Sequence, residues 1–185
     1  MWGRFANRPH RARRRPSRRR AAPFRRLQGM RFRELRESDH ATVTAAVDGW
    51  WGGRPVSEKL PRLFFRLFPE TSFAVESDGE LVAFLVGIVG SPAEEAYVHF
   101  VGVHPEHRAG GLGRGLYERF FEAARSRGCR SVRAITSPVN ADSIAFHGRM
   151  GFEIVEGGSR VAGASVHPDY DGDGKQKVVF EKNLL

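Results

Sequence analysis

One cysteine, no long apolar run and, over the first 29 residues, no acidic side chain set the first limits on this chain. Cys129 has no partner, so no intrachain disulfide forms, which fits a reducing compartment. It falls at the expected end of a helix with no His or Asp in the same local motif, which argues against a nucleophilic role. The longest apolar stretch, 81–90, falls short of the roughly 20 residues that a membrane helix needs. The N-terminal residues lack the apolar centre of a secretory signal. A soluble, cytoplasmic protein is expected, and 185 residues suit one ordinary domain with an extension better than two domains.

The shortage of acids is local. Residues 1–29 hold eleven arginines and no Asp or Glu, so against a total of +9 the remaining residues 30–185 carry −2. Like-charge repulsion, three prolines and few large apolar side chains leave this arm too little surface to bury, and it is expected to be disordered. Two readings of it stand. It is a tail for RNA or an anionic membrane surface, the one route to nucleic acid in this chain, or a dispensable extension ahead of Met30, a natural start directly before a strand-like run.

From Met30 on, no repeat appears and the pattern reads as one α/β domain, 30–185. Alternation at 31–36 predicts a strand, and Ser38 or Asp39 is expected to cap a helix to about Gly49. Ser57 is expected to cap a second helix over 57–68, with Leu60, Leu63, Phe64 and Leu67 on one buried face. Strands follow at 71–76 and 80–89 around an Asp78-Gly79 hairpin signal, and at 96–103, ending before Pro105. A helix over 111–127 places Leu112, Leu116, Phe120 and Ala124 on one stripe. A strand at 131–136, a helix from Asn140 to Met150 closed by Gly151, and strands near 152–156 and 177–182 complete the order. Hairpins mixed with two strand-to-helix crossovers predict a mixed sheet, not a plain doubly wound one.

The most informative segment is the glycine-rich turn between the strand ending Val101-Gly102-Val103 and the helix that follows. Glycine lets backbone approach a ligand, and a helix start offers free N–H groups to an anion such as pyrophosphate. A dinucleotide fingerprint fails, because Leu116 stands where a third glycine belongs and no βαβ unit precedes the turn. A nucleoside-triphosphate loop fails for want of Gly-Lys-Ser/Thr. A flexible loop before a core helix remains the plain alternative.

Arg108-x-x-Gly111-x-Gly113, after that strand and Pro105, resembles the signature turn of the GNAT acyltransferase superfamily. A second segment, Asn140-x-x-Ser143-x-x-Phe146-His147-x-x-x-Gly151-Phe152, resembles the family's later helix, and the order of elements agrees over 30–185. The resemblance implies a mixed, mostly antiparallel α/β (α+β) fold of about seven strands and four helices. It implies an N-acetyltransferase with acetyl-CoA as cosubstrate and direct attack by a primary amine. The backbone of Val101 and Val103 would pair with the pantetheine. Arg108, Gly110, Gly111, Leu112, Gly113 and Arg114 would cradle the phosphates, with Asn140 and Ser143 nearer the thiol. Family members are commonly dimers, so a homodimer is implied as well.

Acyl transfer needs a neutral amine, a polarised carbonyl and a proton for the thiolate. His147 stands where the family often has a Tyr acid; it either donates that proton or only packs. His99, two residues before Val101 and so expected on the same face, is either the general base or a structural residue, with Glu94 and Glu95 as other candidates. For the acceptor, Trp50, Trp51 and Arg54 form either an aromatic wall with a carboxylate-binding cation or core anchors and a solvated charge. Asp169 and Asp171 belong to an acidic loop that either attracts a cationic amine or only connects elements. Calcium spacing fails there, since Phe180 stands where the bidentate Glu belongs, so no metal is expected. Two other readings stay open: a non-catalytic acyl-CoA sensor, and an RNA-associated protein acting through the arm.

Overall fold

A computed structural model describes residues 29–90 and 94–185, so the Arg-rich arm, apart from Gly29, lies outside the described residues. The strands are β1 (Met30–Glu34), β2 (Phe73–Ser77), β3 (Glu80–Val89), β4 (Glu95–Val103), β5 (Ser131–Thr136), β6 (Glu153–Ile154), β7 (Ser159–Val161), β8 (Ala164–Val166) and β9 (Val178–Asn183). The helices are α1 (Asp39–Trp50), α2 (Arg62–Leu67), α3 (Leu112–Ser126) and α4 (Ala141–Arg149). Seven strands form one sheet in the order β1-β2-β3-β4-β5-β9-β6. Every pairing in it is antiparallel except that of β4 with β5. The mixed sheet with four helices is the expected fold.

The sheet is covered on both faces. Alternation sends Val75, Leu85, Ala96, Val98, Val132 and Ala134 to the side of α3, where they meet Leu112, Leu116, Phe120 and Ala124. Ala74, Phe84 and Val86 face the other way, onto Val43, Val47 and Trp50 of α1 and Phe65 of α2. Asp78 and Gly79 both take positive φ, 51° and 86°, as a two-residue hairpin turn requires. Among the described residues no helix is long and apolar enough to cross a membrane.

Two local expectations are corrected. The helix expected over 57–68 is a 3-10 turn at Ser57–Lys59 and, after Pro61, the short α2. Pro61 has no N–H to give to a continuing helix and disfavours helical backbone at Leu60. The break resets the phase, so Leu60 and Phe65 are buried while Leu63 and Leu67 are 55% and 58% exposed. Neither Ser38 nor Ser57 caps a helix with its side chain. The Asp39 carboxylate receives the Arg33 guanidinium at 2.7 Å, and Asp48 receives the Val56 and Ser57 N–H groups at 2.8 and 2.7 Å. The stretch before His167 adds two short strands to those expected, the β7–β8 hairpin, turned at Ala162-Gly163 with φ 50° and 83°.

Candidate active site

β4 and β5 run side by side only where Glu95–Val98 faces Ser131–Ala134. Beyond that β4 continues to Val103 on β3 alone, and β5 to Thr136 on β9 alone. The two parallel strands therefore open a wedge at their carboxyl ends, the place where open α/β sheets take ligands. α3 begins beyond the end of one strand and α4 beyond the end of the other.

A β-bulge sits at the root of the wedge. Val86 pairs with Phe100 and Gly87 with Val98, which leaves His99 as the extra residue. The bulge reverses the alternation of β4: Ala96 and Val98 before it, and Val101 and Val103 after it, all pack towards α3, while Phe100 joins the α1 side. The expectation that His99 and Val101 share a face is thereby corrected. His99 packs at a tilt of 38° against Phe64 of α2, with ring centroids 4.2 Å apart. The His104 N–H donates to the Val82 carbonyl at 2.8 Å. By the two-residue period Gly102 also spends its backbone on β3, so the amides of Val101 and Val103 lie on the edge facing the wedge.

The turn after β4 closes the mouth. Ala109 and Gly111 take positive φ, 59° and 90°, before α3 starts at Leu112. Among the described residues, the N–H groups of Gly110, Gly111, Leu112, Gly113 and Arg114 donate to no backbone carbonyl; the first that does is Gly115, to Gly111 at 3.0 Å. Five successive free donors at the positive end of a 15-residue helix form an anion cradle. The Arg108 side chain does not join it, for its Nε donates to the Val103 carbonyl at 3.2 Å and its Nη2 to the Trp50 carbonyl. Arg114 points away to a loose pair with Glu118 at 3.9 Å.

At the second lip, Asn140 Oδ1 receives the Ser143 N–H at 3.2 Å and so caps α4. His147 lies inside, 4% exposed. Its Nδ1–H donates to the Ser143 carbonyl at 2.8 Å, its Nε2 accepts the Tyr117 hydroxyl at 2.9 Å, and its ring lies flat on Phe180 at 4.4 Å. Burial holds its pKa below the ordinary histidine value, with the Ser143 bond a smaller opposing influence. The ring is a neutral one with both nitrogens satisfied. Tyr117 is a residue the sequence reading missed, although Tyr117 and Phe121, four apart, lie beside the stripe it used.

On the α2 side, His99 Nε2–H donates to the Lys59 carbonyl at 2.6 Å, which leaves Nδ1 as the free lone pair. Burial lowers its pKa as well. Tyr97, two residues earlier on the same strand face, was also missed; its ring centroid is 6.4 Å from that of His99. Burial, and after it the acidic groups of Tyr170 and Asp171, raise the Tyr97 pKa. Asp171 meets Lys177 at 3.3 Å, and Asp169 receives the Gly174 N–H at 2.6 Å within its own loop. Trp50 is 8% exposed and packs on Phe84 and His104 as a core anchor. Trp51 is half-buried on Phe100, and exposed Arg54 bonds back to the Trp51 carbonyl at 3.2 Å. Glu95 pairs with Arg133 at 3.0 Å, and Glu94 is exposed. Among the described residues no three His, Cys, Asp or Glu side chains gather as metal ligands would.

Comparison with known proteins agrees with this geometry. A sequence model of the acetyltransferase (GNAT) family matches residues 30–152. The mycothiol acetyltransferase of Streptomyces bingchenggensis is 34% identical over 88 residues, 48% of this chain and 29% of that protein. The chain spans less than half the length of that protein and of two other curated relatives that it matches. Ard1 from Thermoplasma volcanium superposes with a TM-score of 0.70 at 23% identity, over 85% of this chain and 99% of that one. The yncA protein of Salmonella typhimurium, solved with its cofactor acetyl-CoA, superposes with a TM-score of 0.62 at 20% identity, over 85% and 95% of the two chains. Both likenesses are of fold.

Proposed function

Because the chain belongs to the acetyltransferase (GNAT) family, we propose that it moves an acetyl group from acetyl-CoA to a primary amine by direct attack, in the wedge between β4 and β5. The observation that carries this reading is the row of free N–H groups from Gly110 to Arg114 at the mouth of that wedge. It suits a pyrophosphate in position and charge. Acetyl-CoA supplies the thioester carbonyl that the amine attacks.

The chain's own residues supply the rest. The outward amides of Val101 and Val103 offer donors and acceptors to an extended amide-bearing arm lying along the wedge, as a third strand would. His99 Nδ1 is the base that takes the proton from the attacking amine, and the Lys59 carbonyl fixes the tautomer that exposes that lone pair. The acid role that the resemblance implies for His147 finds no support in a ring with both nitrogens engaged. His147 instead holds Ser143 and the start of α4 at the second lip, and the departing thiolate takes its proton from water. Tyr97, Trp51 and the Tyr170–Asp171 loop stand on the acceptor side.

Thermal unfolding with and without acetyl-CoA, followed by free-thiol release over pooled amines, tests the reading. A ligand at 100 times its Kd stabilises by about 2.7 kcal/mol, so a clear upward shift and thiol release from one pool are expected. No shift at saturating acetyl-CoA would overturn it. A shift without release from any pool would favour the acyl-CoA sensor.

A further inference from the structure

The guanidinium of Arg108 leaves the turn that carries it. Nε donates to the carbonyl of Val103 at 3.2 Å, and Nη2 donates to the carbonyl of Trp50 at 2.5 Å. Its Cζ lies 5.9 Å from the centroid of the Trp51 ring. Trp50 is the last residue of α1, where carbonyls lack intrahelical partners and the helix dipole is negative, and the last turn of α1 has no basic residue of its own. Arg108 therefore caps α1 from another part of the chain. Its planar fork reaches the end of β4 and the end of α1 at once, a geometry that lysine does not reproduce.

These three contacts join the turn to the end of α1, beside the packing of Trp50 on His104. Arg108 opens the Gly110–Arg114 cradle, while Trp51, half-buried on Phe100 with centroids 5.3 Å apart, faces the acceptor side. An anion that fixes the turn also fixes the Cα of Arg108, and the fork then fixes the end of α1 and the Trp51 ring. We propose that Arg108 is a positioning residue that couples the cofactor turn to the Trp51 wall, so that coenzyme in the turn and acceptor against Trp51 favour each other's binding. The proposal rests on the reading that the turn holds the coenzyme's pyrophosphate. Linkage makes the coupling reciprocal, so the coenzyme alone reveals it without a known acceptor.

The test titrates the full-length chain with coenzyme A, following heat for affinity and tryptophan emission for the wall. In the wild-type chain an emission change should saturate with the heat, and Trp51→Phe should remove most of it. Arg108→Met should still bind, with Kd raised on the order of fivefold and the emission change lost. Arg108→Lys, which keeps the cation without the fork and guards against misfolding of the Met variant, should show less than the full amplitude. Full emission amplitude in Arg108→Lys or Arg108→Met would overturn the proposal, as would wild-type binding with silent emission. Absence of heat in the wild-type chain would remove the pyrophosphate reading itself, and this coupling with it.

Discussion

The Tyr117 hydroxyl and His147 Nε2 lie 2.9 Å apart between α3 and α4, with no part of Tyr117 exposed. The Ser143 carbonyl holds the Nδ1 proton at 2.8 Å, so the tautomer is fixed and Nε2 must accept. Tyr117→Phe strands that lone pair in the core, and a buried unsatisfied acceptor costs about 1–3 kcal/mol. Urea unfolding of the variant should show a loss in that range. An unchanged midpoint would mean that the pair does not hold the two helices together.

The same pair sets a pH dependence. Burial lowers the pKa of His147 in the folded chain, so the unfolded chain binds more protons as pH falls below about 6.5, the ordinary histidine value. Stability should be full above that pH and decline as pH falls towards the lower folded pKa. His99, shifted the same way, adds to the decline. His147→Phe should start less stable, because it strands the Tyr117 hydroxyl, yet lose less between pH 7 and pH 5. Thermal midpoints across that range decide the matter, and an equal slope in both proteins would count against the assignment.

Much of the fold is legible in the sequence because periodicity and caps agree with tertiary packing. The Leu112-Leu116-Phe120-Ala124 stripe is buried throughout, and Asn140 caps α4 with its own side chain. The failures have particular causes. Pro61 breaks a helix whose apolar spacing alone runs on to 68, and the phase after the break exposes Leu63 and Leu67. The bulge at His99 has no local sequence signal, since it is a slip of register between β3 and β4, and one inserted residue moves an imidazole to the other face. The direction of the Arg108 fork depends on where α1 ends, 58 residues earlier. Tyr97 and Tyr117 were open to the same two-residue and four-residue counting that found their neighbours.

Two glycines on either side of the α3 start serve different ends, and alanine separates them. A Cβ on Gly115 would lie 2.8 Å from Cζ of Phe32, whose ring is covered by Arg119 at 4.7 Å. Gly115→Ala should therefore destabilise by about 1–3 kcal/mol through overpacking while coenzyme A affinity stays near that of the wild type. Gly111 has open space around it but a φ of 90°. Gly111→Ala should cost about 1–2 kcal/mol of backbone strain and weaken coenzyme A as well, because relief of the strain turns the free N–H groups. Calorimetric titration beside thermal unfolding checks both, and equal loss of affinity in the two variants would contradict this division.

The bulge makes His99 the sharpest test of the chemistry. It stands at the root of the wedge with Nε2–H held by the Lys59 carbonyl and Nδ1 free, and burial keeps the ring neutral to lower pH than an ordinary histidine. A general base of this kind gives kcat/KM an acid limb, flat at high pH and falling once the ring is protonated, with its midpoint below about 6.5. With an acceptor in hand, His99→Gln should lower the rate by about 10²–10⁴-fold and abolish that limb, while coenzyme A affinity stays close to that of the wild type. Glutamine still donates towards the Lys59 carbonyl, so loss of packing is not the cause of such an effect. If His99→Gln keeps the limb, the proton goes elsewhere, and Tyr97, whose raised pKa keeps its hydroxyl protonated, is unsuited to receive it. A chain of water in the open wedge would then be the acceptor of the proton.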